Sequence, residues 1–185
     1  MANKSVSKKI GIGPVRLSYV NFAEPSKMSG KYSARLLLPK SDKASYKILM
    51  DGLKEVYENN AGILGDYDFE TINPVRDGNG TAAKGKKYSD EHKGMWVINA
   101  SNKFQPVLRC KDENGVMNDS EDPGKDFYSG CWAKVGLCLF PYSNQSTGIG
   151  ISLDVVRKTK DDEHLGAVIR EDDYFGDEDD DDEEV

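Results

Sequence analysis

The sequence predicts a mainly β fold: an OB-fold-like antiparallel Greek-key barrel with one main helix and a disordered acidic C-terminal tail. Three observations lead there. Apolar residues alternate with polar ones in about six short segments, one longer segment repeats its apolar residues at helical spacing, and Gly, Asn, Asp and Pro punctuate the joins.

From about Ile10 to Phe22, Val15, Leu17 and Tyr19 alternate with Arg16, Ser18 and Val20, the pattern of a half-buried strand. Over Lys31 to Leu38, Tyr32, Ala34, Leu36 and Leu38 share one face, and Lys31, Ser33, Arg35 and Leu37 share the other, predicting a second strand with a basic outer face. Pro39 ends it. Ser41 or Asp42 can cap a helix from about Lys43 to Asn59, whose stripe is Leu49, Leu53, Val56 and Tyr57, with Gly62 as its close. Asp66 to Gly94 is polar and reads as a long mobile loop. Met95 to Ser101 and Gln105 to Lys111 read as short strands, and Trp96 is assigned to the core. Asn118 to Asp126 reads as a connection. The clearest strand is Cys131 to Tyr142, where Ala133, Val135, Leu137 and Leu139 face the core and Trp132, Lys134, Phe140 and Tyr142 face out. Ile149 to Arg157 is the last strand. In an OB barrel the usual helix lies later in strand order, so the early helix fits best if Asp66 to Ile72 supplies another strand.

The 185 residues suffice for one ordinary domain, and the charge divides the chain in two. Glu171 to Val185 holds 11 acidic residues and no Lys or Arg. The 25 basic residues therefore all lie in residues 1–170, against 32 − 11 = 21 acidic ones, a net of +4. The domain is expected over residues 1–170 and the tail over 171–185. Like charges at that density cannot bury apolar surface, so the tail is expected to be disordered alone. Tyr174 and Phe175, set beside Asp177, Glu178, Asp179, Asp180, Asp181, Asp182, Glu183 and Glu184, suit an interaction peptide better than a solubilising run.

Single strands are held by cations along the phosphates and by aromatic faces on which bases stack, each stack worth about 1–3 kcal/mol. Trp132, Lys134, Phe140 and Tyr142 offer both on one strand face, and Arg16, Lys31 and Arg35 can extend the patch. Lys84, Lys86, Lys87 and Lys93, with Tyr88, add a basic loop, a weaker signal because loop lysines are often only solvated. Arg109, near a turn, suits either a phosphate contact or a local ion pair.

Catalysis finds no support. No phosphate-binding loop motif is present, and Gly11-Ile12-Gly13 and Gly148-Ile149-Gly150 both lack the third glycine of a dinucleotide fingerprint. Cys110, Cys131 and Cys138 have neither disulfide nor zinc spacing, and no metal or cofactor is expected. With no apolar run of membrane length and no signal-peptide pattern at the N-terminus, the protein is expected to stay in the cytoplasm.

Gly11-Ile12-Gly13-Pro14-Val15-Arg16-Leu17-Ser18-Tyr19, Lys31-Tyr32-Ser33-Ala34, Trp96-Val97-Ile98-Asn99-Ala100-Ser101, and above all Tyr128-Ser129-Gly130-Cys131-Trp132-Ala133 with Phe140-Pro141-Tyr142 resemble a family. It is that of the single-stranded DNA-binding proteins encoded by tailed phages, distantly like the podophage-type binding proteins. The resemblance implies an OB-fold that binds single-stranded DNA without sequence preference, in replication, recombination and repair, with no cofactor. It also implies an acidic tail that recruits replication proteins such as a DNA polymerase or helicase. Charge alone suggests that the tail competes with DNA for the body. The competing expectation is a protein-interaction or assembly module that acts through the tail and does not retain DNA.

Overall fold

The computed structural model describes residues 4–81 and 85–166. Its elements are, in order, β1 (Lys8–Asn21), β2 (Tyr32–Pro39), α1 (Lys43–Asn59), α2 (Ala61–Leu64), α3 (Phe69–Ile72) and β3 (Arg76–Asp77). Then come a 3-10 turn (Asp90–His92), β4 (Met95–Asn102), β5 (Val107–Lys111), β6 (Met117–Asp119), α4 (Pro123–Asp126), β7 (Trp132–Ser143) and β8 (Thr147–Lys160).

Five strands close into a barrel. β1 pairs antiparallel with β2 and β7, β2 with β4, and β7 with β8, and the ring closes where β4 meets β8 in parallel at Ser101 and Ser152. This is OB-type strand order, with β3, β5 and β6 as additions at the rim. The inward positions of all five strands, among them Val15, Leu17, Leu36, Leu38, Ile98, Leu137, Leu139 and Leu153, meet in one buried core. Closure removes sheet edges that would otherwise expose unpaired backbone groups.

Helix α1, which follows β2 in the chain, packs mainly on β1, where its stripe of Leu49, Leu53 and Val56 is buried. The Asp42 carboxylate accepts from the Ser45 backbone N–H at 3.0 Å, satisfying one of the orphan amides of the first turn. The helix does not close at Gly62, which falls inside α2. It closes at Asn60, whose buried amide donates to the Val56 carbonyl at 2.7 Å and exchanges two bonds with the Val6 backbone. Asp66 to Ile72 provides α3 rather than a strand, so the helix inserted after β2 is a departure from the usual OB order.

Four further expectations need correction. The stretch from 66 to 94 is not one open loop: β3 pairs Arg76 with Val97, Lys40 binds Asp77 at 2.6 Å, and Asn79 accepts from the Gly94 N–H at 2.9 Å. The outward-facing Leu37 is fully buried together with its cross-strand partner Val97, beneath that segment. Trp96 is only half-buried, stacked on Tyr46 of α1 at 4.7 Å with the Lys40 ammonium 4.7 Å from its ring centre. The connection from 118 to 126 also carries β6 and α4, and Arg109 spends its charge on Asp119 at 3.2 Å, a local ion pair. Among the described residues no helix is long and apolar enough to cross a membrane. The acidic tail, with Tyr174, Phe175 and the run from Asp177 to Glu184, lies outside the described residues, as does Lys84.

Candidate nucleic-acid interface

The alternation in β7 places Ala133, Val135, Leu137 and Leu139 in the core and turns Trp132, Lys134, Phe140 and Tyr142 outward. Those four side chains do not form one patch. Trp132 and Phe140 lie eight residues apart, about 26 Å along a strand, and the barrel's curvature carries them to different surfaces.

Phe140 and Tyr142 line a groove that crosses β7, β8, β4 and β2. Three adjoining depressions make it, all sharing Asn99: one holds Tyr19, Asn21, Ser33 and Arg35, the next Lys31, Ser101, Phe140 and Tyr142, and the third Arg76, Asn73 and Thr71. The β2–β4 register sets Arg35 opposite Asn99 and Ser33 opposite Ser101, so the groove floor is built from outward positions of paired strands. No lining residue is acidic, whereas Lys31, Arg35 and Arg76 are cationic. In a protein with 32 acids, an acid-free groove with three cations favours a polyanion.

Arg35 is the most constrained of these cations. Its Nε donates to Asn99 Oδ1 at 3.2 Å and its Nη1 to His92 Nε2 at 3.2 Å. Its guanidinium carbon lies 4.9 Å from the centre of the Tyr19 ring and 5.6 Å from that of Tyr88, and Tyr88 stacks on His92 at 4.9 Å. Because the guanidinium can only donate, His92 Nε2 must accept, which leaves the proton on Nδ1 for Ser89 Oγ at 3.2 Å. His92 is 1% exposed. Burial, and then the Arg35 charge beside it, holds its pKa below the ordinary histidine value. His92 thus joins the segment that carries Lys86, Lys87 and Tyr88 to the groove.

Tyr19 reaches this site through an irregularity of backbone. A register shift between Ser18 and Asn21 breaks the alternation of β1, and Tyr19 adopts φ 49°, a region that non-glycine residues rarely occupy. The alternation groups it with Val15 and Leu17, which are fully buried, but it is 62% exposed.

Arg16 and Trp132 form a second cluster with Asp162. The Trp132 indole N–H donates to Asp162 Oδ2 at 2.8 Å, Arg16 pairs with the same carboxylate at 3.7 Å, and Arg16 Nη2 donates to the Glu163 carbonyl at 2.8 Å. Arg16 and Lys160 also approach the Trp132 ring, at 6.0 and 5.0 Å from its centre. Nearby, Tyr128 donates to Asp161 at 2.8 Å and stacks on His164 at 4.0 Å, and the Leu165 N–H donates to the Ser129 carbonyl. Residues 161–165 are therefore strapped to the barrel. Lys134 lies in a third place, beside Arg157 and the N-terminal turn of α1. Lys86 and Lys87 are exposed on the loop between β3 and β4, with Lys87 bridged to Thr81.

Of the residues expected from the sequence, the structure brings Lys31, Arg35, Phe140 and Tyr142 to one groove and sets Arg16, Trp132 and Lys134 elsewhere. Tyr19, His92, Asn99 and Arg76 were not anticipated. Alternation within Met95 to Ser101 could have singled out Asn99, which projects opposite the buried Ile98.

The family model described as "Enterobacter phage Enc34, ssDNA-binding protein" matches residues 8–185. The chain belongs to this family. Consistent with that membership, the chain is similar to the single-stranded DNA-binding protein of bacteriophage Enc34 solved in complex with ssDNA, at 26% identity over 85% of this chain and 89% of that one, TM-score 0.72. The same phage protein in another structure, at 24% identity over 91% and 90% with TM-score 0.63, shares the fold. Protein p50 of Acyrthosiphon pisum secondary endosymbiont phage 1 is 29% identical over 167 residues, 83% of this chain and 84% of that one.

Proposed function

We propose that this member of the phage family binds single-stranded DNA without sequence preference in the groove between Tyr19 and Tyr142. The observation that carries the reading is the groove itself: cations Lys31, Arg35 and Arg76, no carboxylate, and aromatic side chains at both ends. Phosphates follow the cations, while bases stack on Phe140 and Tyr142 at one end and on Tyr19 and Tyr88 at the other, each stack contributing about 1–3 kcal/mol. Every base has a π face, so stacking discriminates little between sequences. Lys86 and Lys87 draw phosphate toward the Tyr88 end, and Lys84, which lies outside the described residues, adds one more positive charge to the same stretch of sequence. The family membership and the relative's complex with ssDNA support the reading.

Arg16 and Trp132 serve the chain's own strap rather than DNA, since Asp162 holds both. Lys134, beside Arg157 and the N-terminal turn of α1, belongs neither to the groove nor to that cluster. The 11 acids of residues 171–185 compete with DNA for the cationic surface of residues 1–170, and with Tyr174 and Phe175 they recruit a replication protein such as a polymerase or helicase. The protein works without catalysis in the cytoplasm of the phage's host, in replication, recombination and repair.

Fluorescence anisotropy of a labelled oligo-dT titrated with the intact protein and with Arg35→Ala tests the central claim. Binding by the intact protein that Arg35→Ala weakens at least tenfold supports it. Retention of no DNA by the intact protein at low salt overturns it in favour of a protein-interaction module.

A further inference from the structure

Gly148-Ile149-Gly150 fails as a nucleotide-binding motif, yet its two glycines lie under Tyr142 and Phe140, the aromatic residues at one end of the groove. We propose that Gly148 and Gly150 are positioning residues that let the Tyr142 and Phe140 rings lean across β8 as a base-stacking platform. The inference rests on the binding reading given above.

The β7–β8 register sets Phe140 directly opposite Gly150 and Tyr142 opposite Gly148. A Cβ on Gly150 would sit 2.6 Å from Phe140 Cε2 and 2.9 Å from Cε1, and one on Gly148 would sit 2.7 Å from the Tyr142 hydroxyl oxygen and 3.0 Å from Cζ. Both rings therefore lean over the neighbouring strand and cover bare backbone. Neither glycine has a positive φ, so the backbone itself would accept alanine at both positions. What excludes a side chain is the ring alone. Between them Ile149 is 3% exposed and points to the core, as the alternation requires.

The consequence is geometric. A ring that stands up from a sheet offers an edge, whereas a ring laid down offers a face. The Phe140 and Tyr142 centres lie 6.5 Å apart with planes inclined at 53°, and Phe140 keeps 38% of its surface open toward the groove. A methyl group at Gly150 lifts the Phe140 ring and removes its stacking face while leaving every cation in place. Aromatic side chains also cover strand glycines for stability alone, so the test must separate support of the fold from support of binding.

A double-mutant cycle on oligo-dT affinity does so, with thermal unfolding recorded for each variant. Gly150→Ala is expected to weaken binding at least about fivefold, the lower end for a lost stack. Phe140→Ala is expected to weaken it by a similar or larger factor, and Gly150→Ala added to Phe140→Ala is expected to cost nothing more. If Gly150→Ala unfolds the protein, Gly148→Ala decides: it is expected to weaken binding, and Tyr142→Phe, which removes the oxygen nearest the new methyl, is expected to restore part of the loss. Wild-type affinity in folded Gly150→Ala, or losses that simply multiply with Phe140→Ala, would overturn the platform while leaving the binding reading intact. A wild-type protein that ignores oligo-dT overturns both.

Discussion

Arg35 and His92 show how much of the groove depends on one hydrogen-bond direction. Arg35 is held at Nη1 only while His92 Nε2 keeps a lone pair, so protonating the imidazole would set two donors and two positive charges face to face. The titratable groups around the ring are Arg35 from β2 and Glu91, 4.0 Å from Nδ1, with Tyr88 stacked on it. The native state disfavours the imidazolium, so the unfolded chain binds the extra proton more readily. Stability contributed by neutral His92 is therefore complete above the unfolded value of about 6.5 and is lost as pH falls toward the lower folded value. Denaturant titrations from pH 7.5 to 5 should show stability falling in that window, by at most about 1.4 kcal/mol per pH unit for one proton. His92→Gln, whose side-chain oxygen can accept from Arg35 without titrating, should flatten that fall. An unchanged slope would remove His92 from the account. Trp132 and Phe140 make a second contrast at this scale. Both face outward on one strand, but the Trp132 indole is bonded to Asp162 and approached by Arg16 and Lys160. Phe140→Ala should cost about 1–3 kcal/mol of oligo-dT affinity, and Trp132→Ala should cost less than Phe140→Ala, as anisotropy titrations would show.

At the scale of elements, local periodicity was informative wherever local forces decide the structure. The limits of α1 were legible because an Asp cap and a four-residue apolar stripe are written within 18 residues of chain. The outward direction of Phe140 and Tyr142 was legible because a period of two cannot change face without a bulge. Tyr19 was not legible for that same reason: the bulge that turns it outward belongs to the pairing of β1 with β2, and no residue of β1 alone announces it. The segment from 66 to 94 was misread because what holds it is remote in sequence, at Lys40, Val97 and Arg35. Nor did alternation reveal that one strand face serves three separate surroundings. The strap at 161–165 belongs to the same class of long-range contact, and Gly130 carries it. Gly130 has φ 122°, and a Cβ there would come within 3.0 Å of the Glu163 carbonyl carbon and closer still to its oxygen. Gly130→Ala should therefore cost about 1–3 kcal/mol in backbone strain, read by denaturant unfolding, and should displace Asp162 from the indole of Trp132. A change in Trp132 emission should accompany the loss. Wild-type stability with an unchanged spectrum would mean that the strap does not depend on this close approach.

Over the whole molecule, a net charge of −7 conceals two opposed parts: +4 over residues 1–170 and 11 acids with no base over 171–185. In the proposed competition, a tether would give the acidic part a local concentration of order millimolar, enough for even weak attraction to the cations to oppose DNA binding. Removing residues 171–185 should therefore raise oligo-dT affinity at low salt, by roughly tenfold if the tail contributes about 1.4 kcal/mol of competition. Salt tests the cause. Three groove cations that each neutralise one phosphate give log K a slope against log salt of about −2, from about −0.7 per phosphate on single strands. The tail's own attraction is screened by the same ions, over about 10 Å at 0.1 M, so the intact protein loses its competitor as it loses affinity. The truncated form should then show the steeper salt dependence, and the two affinities should converge as salt rises. Equal affinities at low salt would end the competition account and leave residues 171–185 with partner recruitment alone. A constant ratio at all salt concentrations would assign the tail's effect to something other than charge.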